Sequence, residues 1–222
     1  MWMKPRLSHQ SLIACALGVT LLLTSCAGIT SSAIARTPDE SSPPAWAPPV
    51  IATYQDLSQL INSEPAQIDN SELPITPVEA LHVTNEAPDI DLATYSLTVD
   101  GVVARQLRLT YEDILAYPAV TQTVLLICQK SFADNAEWTG VTLATILAQV
   151  GVEATATQLV VHAVDGFQLS IPLSVAEGDG VLLAYGVNGQ ALPKEHGFPV
   201  RLVVKGQYGL YWVKWIDHIE VK

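Results

Sequence analysis

The sequence predicts a mixed, β-rich α+β domain, and three observations carry that expectation. Short apolar segments of strand length recur from Tyr95 to the end of the chain, several of them alternating at period two. Asp-Gly or Asn-Gly pairs sit beside such segments at 100–101, 165–166 and 188–189, where tight hairpin turns favour them. The helical stretches between them are short and capped, too few for a repeating strand–helix–strand pattern.

The first part of the 222-residue chain has another character. Trp2 to Cys26 reads as an export signal, with Lys4 and Arg6 ahead of an apolar run from Leu12 to Leu23. That run is shorter than the roughly 20 apolar residues of a spanning helix. It ends in Leu23-Thr24-Ser25-Cys26, which has the form of a bacterial lipobox. Residues 1–26 are therefore expected to be a lipoprotein signal peptide, with Cys26 lipidated. The protein would then be exported and lipid-anchored to a bacterial membrane, facing the periplasm or cell exterior. Residues 27–73 read as a Pro/Ser-rich tether, with Ser41-Ser42-Pro43-Pro44, Pro48-Pro49 and at most a short helix over Gln55 to Ile61.

The folded domain is expected over 74–222, about 150 residues and enough for a proper core. Tyr95 to Val99 and Val102 to Leu109 should form a hairpin about Asp100-Gly101. Thr110 and Asp113 form a capping pattern for a helix from Tyr111 to Tyr117, closed by Pro118. A strand from Thr121 to Ile127 delivers Cys128 at its end, followed by a polar stretch that reads as loop as far as Trp138. Thr142 caps a second helix, Leu143 to Val150, with Gly151 at its C-terminus. Gln158 to Val164 and Gln168 to Ile171 form a hairpin about Asp165-Gly166. Strands over Val181 to Tyr185, Val200 to Val204 and Tyr211 to Val221 complete the domain. Trp138, Trp212 and Trp215 are expected in the core or in a pocket wall. His82, His162 and His218 match no motif and read as structural or surface histidines.

Of the 11 lysines and arginines, Lys4 and Arg6 lie in the signal, whereas all 22 acidic residues follow Cys26. Such an acidic chain excludes nucleic acid as a partner, because that binding needs a basic footprint. The bases concentrate late, at Lys194, Arg201, Lys205, Lys214 and Lys222, either as an anion site or as ordinary solvated side chains. With Cys15 in the signal and Cys26 carrying lipid, Cys128 has no intrachain disulfide partner. It is buried and inert, bound to something, or reactive.

The segment from Leu182 to Val221 narrows these choices. It contains Asn188-Gly189, Leu192-Pro193, His196-Gly197-Phe198-Pro199-Val200-Arg201, Gly206-Gln207-Tyr208-Gly209 and Val213-Lys214-Trp215. Upstream, Pro88-Asp89-Ile90-Asp91, Glu137-Trp138-Thr139-Gly140-Val141 and Asp165-Gly166-Phe167 follow in matching order. From about Thr76 to Lys222 the chain resembles the molybdopterin-binding domain of the sulfite oxidase family, which includes bacterial protein-methionine-sulfoxide reductases.

The resemblance implies a sulfite oxidase-like fold and a molybdenum–molybdopterin cofactor. Cys128 falls at the family's molybdenum thiolate, a soft anionic ligand of the kind that metal favours. Asn85, His196, Arg201, Lys214 and the backbone at Trp212 and Val213 fall at cofactor-contacting positions. Arg201 can hold a phosphate or pterin edge with parallel hydrogen bonds, and Gly206 and Gly209 let backbone N–H groups approach an anion. Lys214 would share a strand face with Trp212. The chain also departs from the family pattern. Thr84 and Glu86 replace basic residues beside Asn85, Leu210 and Tyr211 follow Gly209 where a base is common, and the loop after Cys128 lacks paired arginines. Sulfite is accordingly not the expected substrate. The implied function is that of a membrane-tethered molybdopterin-dependent oxidoreductase transferring oxygen to or from a small or protein-bound substrate, with a cytochrome or membrane redox partner. The alternative is a cofactor-free relative serving as an anion- or protein-binding lipoprotein.

Overall fold

A computed structural model of the chain describes residues 57–222. The signal peptide, Cys26 and the tether up to residue 56 lie outside the described residues. Among those described, no helix is long and apolar enough to cross a membrane.

The first of two sheets, a mixed one, is built on β1 (Leu97–Gly101) and β2 (Leu107–Leu109), which pair antiparallel. Their connection runs over 102–106 rather than turning at Asp100-Gly101, as the sequence had indicated. Gly101 instead stays in the strand opposite Val221, at φ 96°, where any side chain would run into the Val221 carbonyl. The Asp-Gly pair thus serves a close strand approach. Beyond β1 lie β10 (Ile216–Val221), parallel to it, then β5 (Gln158–Ala163) and β6 (Gln168–Pro172). The β5–β6 hairpin turns at Asp165-Gly166 as its sequence directs, and Asp165 accepts a hydrogen bond from the Phe167 amide at 3.0 Å.

The second sheet contains β3 (Val120–Cys128), β4 (Phe132–Thr142), β7 (Val181–Val187) and the short β8 (Gln190–Ala191), with β9 (Arg201–Val204) also paired to β7. The hairpin at Asn188-Gly189 forms as expected. The stretch after Cys128 does not remain a loop: β4 is the longest strand, in register with β3 from Phe132 to Gly140. Conversely, the C-terminal strand is shorter than expected. Gly209–Tyr211 is a 3-10 turn, and the ladder to β1 and β5 begins only at Ile216.

The capped helices form where the sequence places them. Thr110 and Asp113 make a reciprocal capping box ahead of α1 (Tyr111–Leu115). Thr142 caps α2 (Leu143–Val150), which Gly151 closes, and α3 (Leu173–Ala176) follows β6. The main core is continuous through both sheets and includes Trp138, Ile146, Leu159, Leu183, Leu202 and Ile219.

Residues 57–73 had been read as the end of the tether, yet they wrap the other face of β3. Leu60 and Leu73 pack with Leu125, Ile127 and Ala133 in a second apolar cluster. Strand alternation explains the division: Leu125 and Ile127 point to this strap, whereas Val124 and Leu126 point to the main core. Cys128 continues the second series and packs against the main core.

Candidate functional site

Two adjoining cavities lie at the end of β3. The larger, about 330 Å³, is bounded by Cys128, by Thr84 and Asn85 from the N-terminal segment, by Asp165 and Phe167 from the β5–β6 turn, and by the stretch Gly209 to Trp215. The smaller, about 80 Å³, shares Thr84, Cys128, Gly209, Trp212 and Lys214 with it and adds His82, Phe132, His196 and Arg201. The structure therefore brings Cys128, Asn85, His196, Arg201, Trp212, Val213 and Lys214 together around these two cavities. The larger volume falls within the roughly 300–1,000 Å³ usual for small-molecule sites.

Each side chain is placed by an identifiable local cause. Cys128 ends β3 as a free, half-buried thiol. Arg201 begins β9 and is only 5% exposed. Its Nη1 donates to the His196 carbonyl at 2.9 Å, and its Nη2 to the Trp212 carbonyl at 3.3 Å. Its Nε is buried with no protein partner. The guanidinium packs beside the rings of Trp138 and Trp212, its carbon 4.9 and 5.6 Å from their centroids. Gly197, at φ 111°, makes this convergence possible. A Cβ there would come within 2.8 Å of the Arg201 Cβ and 3.2 Å of the Lys214 Cβ.

Lys214 reaches the site from an irregular stretch rather than from a strand. The ladder starts beyond it, and Trp215 holds φ 55°. Its Nζ donates to the carbonyls of Thr84 at 3.0 Å and Glu195 at 2.9 Å, and lies 4.3 Å from the centre of the Trp215 ring. Lys214 thereby ties the Asn85 wall to the Glu195 turn.

The late basic residues do not form one patch. Lys194 pairs with Asp89 at 2.9 Å, Lys222 with Glu220 at 3.0 Å, and Lys205 is exposed elsewhere. Arg201 and Lys214 are the two that converge on the cavities. Gly206, also inferred for the site, instead lies beside Ala66 of the strap. Gly209 is at the site, where an added Cβ would sit 3.6 Å from the Cys128 Cα.

The three basic groups of the site are shifted in one direction. Burial pushes the Arg201 guanidinium down to about 9. Burial and then the Arg201 charge push Lys214 down to about 8. His196 is lowered by burial, then by Arg201 and Lys214. An arginine keeps its proton in practice, so its depression measures how poorly the buried positive charge is compensated. A site of this kind accepts an anion, with a thiol for a soft metal at its edge.

Sequence reasoning missed one pair. His82 is anchored by Asp134 of β4, whose side chain is 2% exposed. Its Nδ1 lies 2.9 Å from Oδ1, and its backbone N–H donates to Oδ2 at 3.0 Å. The ring stacks on Phe132, with centroids 4.4 Å apart. The partners are 52 residues apart, so no local pattern announces them. Of the substituted positions, Thr84 and Leu210 line the cavity, whereas Glu86 is exposed and outside its lining.

Comparison with known proteins agrees with this arrangement. The family profile of the oxidoreductase molybdopterin binding domain matches residues 84–222. Human mitochondrial sulfite oxidase is 34% identical over 194 residues, covering 72% of this chain and 35% of its own. The NADH nitrate reductase of Ulva prolifera is 32% identical over 217 residues, covering 79% of this chain and 25% of its own. The chain thus spans about a quarter to a third of the length of these relatives. Among solved structures, the sulfane dehydrogenase SoxCD from Paracoccus pantotrophus superposes with a TM-score of 0.57 at 32% identity, covering 61% of this chain and 40% of that one. The chain belongs to the sulfite oxidase-type oxidoreductase molybdopterin binding domain family, whose cofactor is molybdenum–molybdopterin.

Proposed function

We propose that the protein is an exported, lipid-anchored oxidoreductase that transfers oxygen between water and a small or protein-bound substrate at a molybdenum held by Cys128. The observation that carries this reading is that the Cys128 thiol and the buried, incompletely paired Arg201 guanidinium line the same small cavity. The residues fit the cofactor. Cys128 offers a thiolate, Arg201 and Lys214 offer uncompensated positive charge to a phosphate, and Gly209 leaves room beside the cysteine.

Bound molybdopterin supplies a metal that changes oxidation state by two electrons while an oxygen atom passes between substrate and water. The protein's own residues do the rest. Cys128, which lines both cavities, would hold the reacting centre, and Trp138 and Trp212 pack against Arg201. Lys214 ties the Thr84 carbonyl to the Glu195 turn, and so fixes the wall that includes Asn85. Beyond Arg201 and Lys214, which are assigned to the cofactor, no lysine or arginine among the described residues lines either cavity to face a substrate oxyanion. Phe167 and Leu210, exposed and apolar, flank the larger opening. These features favour a neutral oxide, such as a sulfoxide, over sulfite. Electrons would come from a one-electron carrier such as a cytochrome. The lipobox at Cys26 supports the anchored, exported location.

The test is elemental analysis of the full chain made in a host that assembles molybdopterin, followed by assays on sulfoxide, sulfite and nitrate. We expect near-stoichiometric molybdenum and sulfoxide reduction that Cys128→Ser abolishes. A folded chain that never takes up molybdenum would overturn the reading.

A further inference from the structure

A cleft of about 310 Å³ on the strap side, the outer cleft, is bounded by Leu57 and Ser58 of the strap, Thr76, Ser131, Ala133 and Asp134. His82 and Phe132 line both this cleft and the small cavity that contains Cys128. The His82 ring therefore stands in the partition between an outer space and the reacting centre. Its side chain is 54% exposed, while the carboxylate that anchors it is 2% exposed. An ionised carboxylate only accepts, so the contact to Asp134 places a proton on Nδ1 and leaves Nε2 as the exchanging atom. Stacking on Phe132 fixes the plane of the ring.

We propose that His82 relays protons between the outer cleft and the oxygen-transfer centre, with Asp134 as the positioning residue. The inference rests on the oxygen-transfer reading above. Reduction of an oxide consumes two protons and two electrons and yields the reduced substrate and water. The electrons come from the one-electron carrier. In each relay step the His82 Nε2–H bond breaks and an O–H bond forms in the departing water. Nε2 then takes a new proton from water that enters by the outer cleft, and the step occurs twice per turnover. Asp134 holds the ring in position throughout. In the oxidative direction the same ring carries protons outward. The titratable groups around it are Asp134 from β4, Cys128 at the end of β3, His196 and Arg201 across the small cavity, and Lys214 beside them.

The test compares the molybdenum-loaded full chain with His82→Gln and Asp134→Asn, using sulfoxide as substrate and a chemical electron donor. His82→Gln should keep its molybdenum and lose about 10²-fold in rate, the usual contribution of a positioned acid. Its alkaline limb should flatten, and added imidazole should restore part of the rate. Independently of catalysis, ¹⁵N NMR of the cofactor-free folded chain should show His82 as the Nδ1–H tautomer, a preference that Asp134→Asn removes. A fully loaded His82→Gln with the wild-type rate and pH profile would overturn the relay, as would an Nε2–H tautomer in the wild type. A wild-type chain without molybdenum would instead overturn the oxidoreductase reading, leaving the tautomer measurement as the test of the dyad.

Discussion

The guanidinium carbon of Arg201 lies 4.9 Å from the centre of the Trp138 ring, and among the described residues no carboxylate closes an ion pair with it. Trp138 is itself held by a hydrogen bond from its Nε1 to the Val124 carbonyl of the strand that ends in Cys128. Strand β3 thus fixes the thiol directly and the cation through one indole.

Replacing Arg201 by Met tests what that cation does. Cation–π contact contributes about 0.5–2 kcal/mol, while the effective desolvation penalty of a buried ion is several kcal/mol. The variant also leaves the His196 and Trp212 carbonyls without their donor, which costs about 1–3 kcal/mol for each group left buried. These effects oppose one another. The cofactor-free chain should unfold in denaturant within about 2 kcal/mol of wild type, while its molybdenum content falls more than tenfold. A large loss of stability with retained molybdenum would make Arg201 a structural residue.

Lys214 gives the site a signature in pH. Its ammonium is pushed down to about 8 by burial and Arg201, so much of it is uncharged at pH 8.5 in the ligand-free chain. An anion at Nζ raises that value again, so binding takes up a proton above pH 8 and little below pH 7. Titration calorimetry with inorganic phosphate in buffers of different ionisation heat should show this uptake, and Lys214→Met should remove it. The same depression acts on stability. Between about pH 8 and pH 10 the unfolded chain, with an ordinary lysine, holds more protons than the folded one. The ligand-free fold therefore becomes more stable as pH rises through that window.

Gly197→Ala should harm fold and site together. A left-handed non-glycine residue costs about 1–3 kcal/mol, and this Cβ also presses on Arg201 and Lys214. Thermal melting should drop by several degrees, with molybdenum content reduced. An unchanged occupancy would mean that the spacing of the two cations does not matter.

The strap is part of the folded body. Asn135 is fully buried: its Nδ2 donates to the Leu73 carbonyl at 3.1 Å, and its Oδ1 accepts from Asn70 at 2.9 Å. Leu60 is also fully buried, and Leu60→Ala should cost about 2–5 kcal/mol by denaturant unfolding. Limited proteolysis should then cut within residues 57–80 much faster than in wild type.

Much of this fold is legible locally because its causes are local. Thr110 with Asp113, Thr142, Asp165-Gly166 and Asn188-Gly189 each make their turn or cap from residues three or fewer apart. The start of β4 was not legible, because Ala133-Asp134-Asn135-Ala136 is polar where a buried strand is usually apolar. Those polar groups are satisfied by Asn70, Leu73, Thr76 and His82, more than 50 residues away. The same distance hid the His82–Asp134 pair. Family resemblance pointed to Lys214, which lines both cavities although its inferred strand is an irregular stretch. Gly206, read the same way, belongs to the strap contact instead.

The central claim is that Cys128 ligates the molybdenum. X-ray absorption at the molybdenum edge, on the loaded full chain and on Cys128→Ser, reads the sulfur neighbours of the metal directly. The account predicts one fewer sulfur in the variant, with the remaining shell intact. Identical sulfur shells in the two proteins would contradict it.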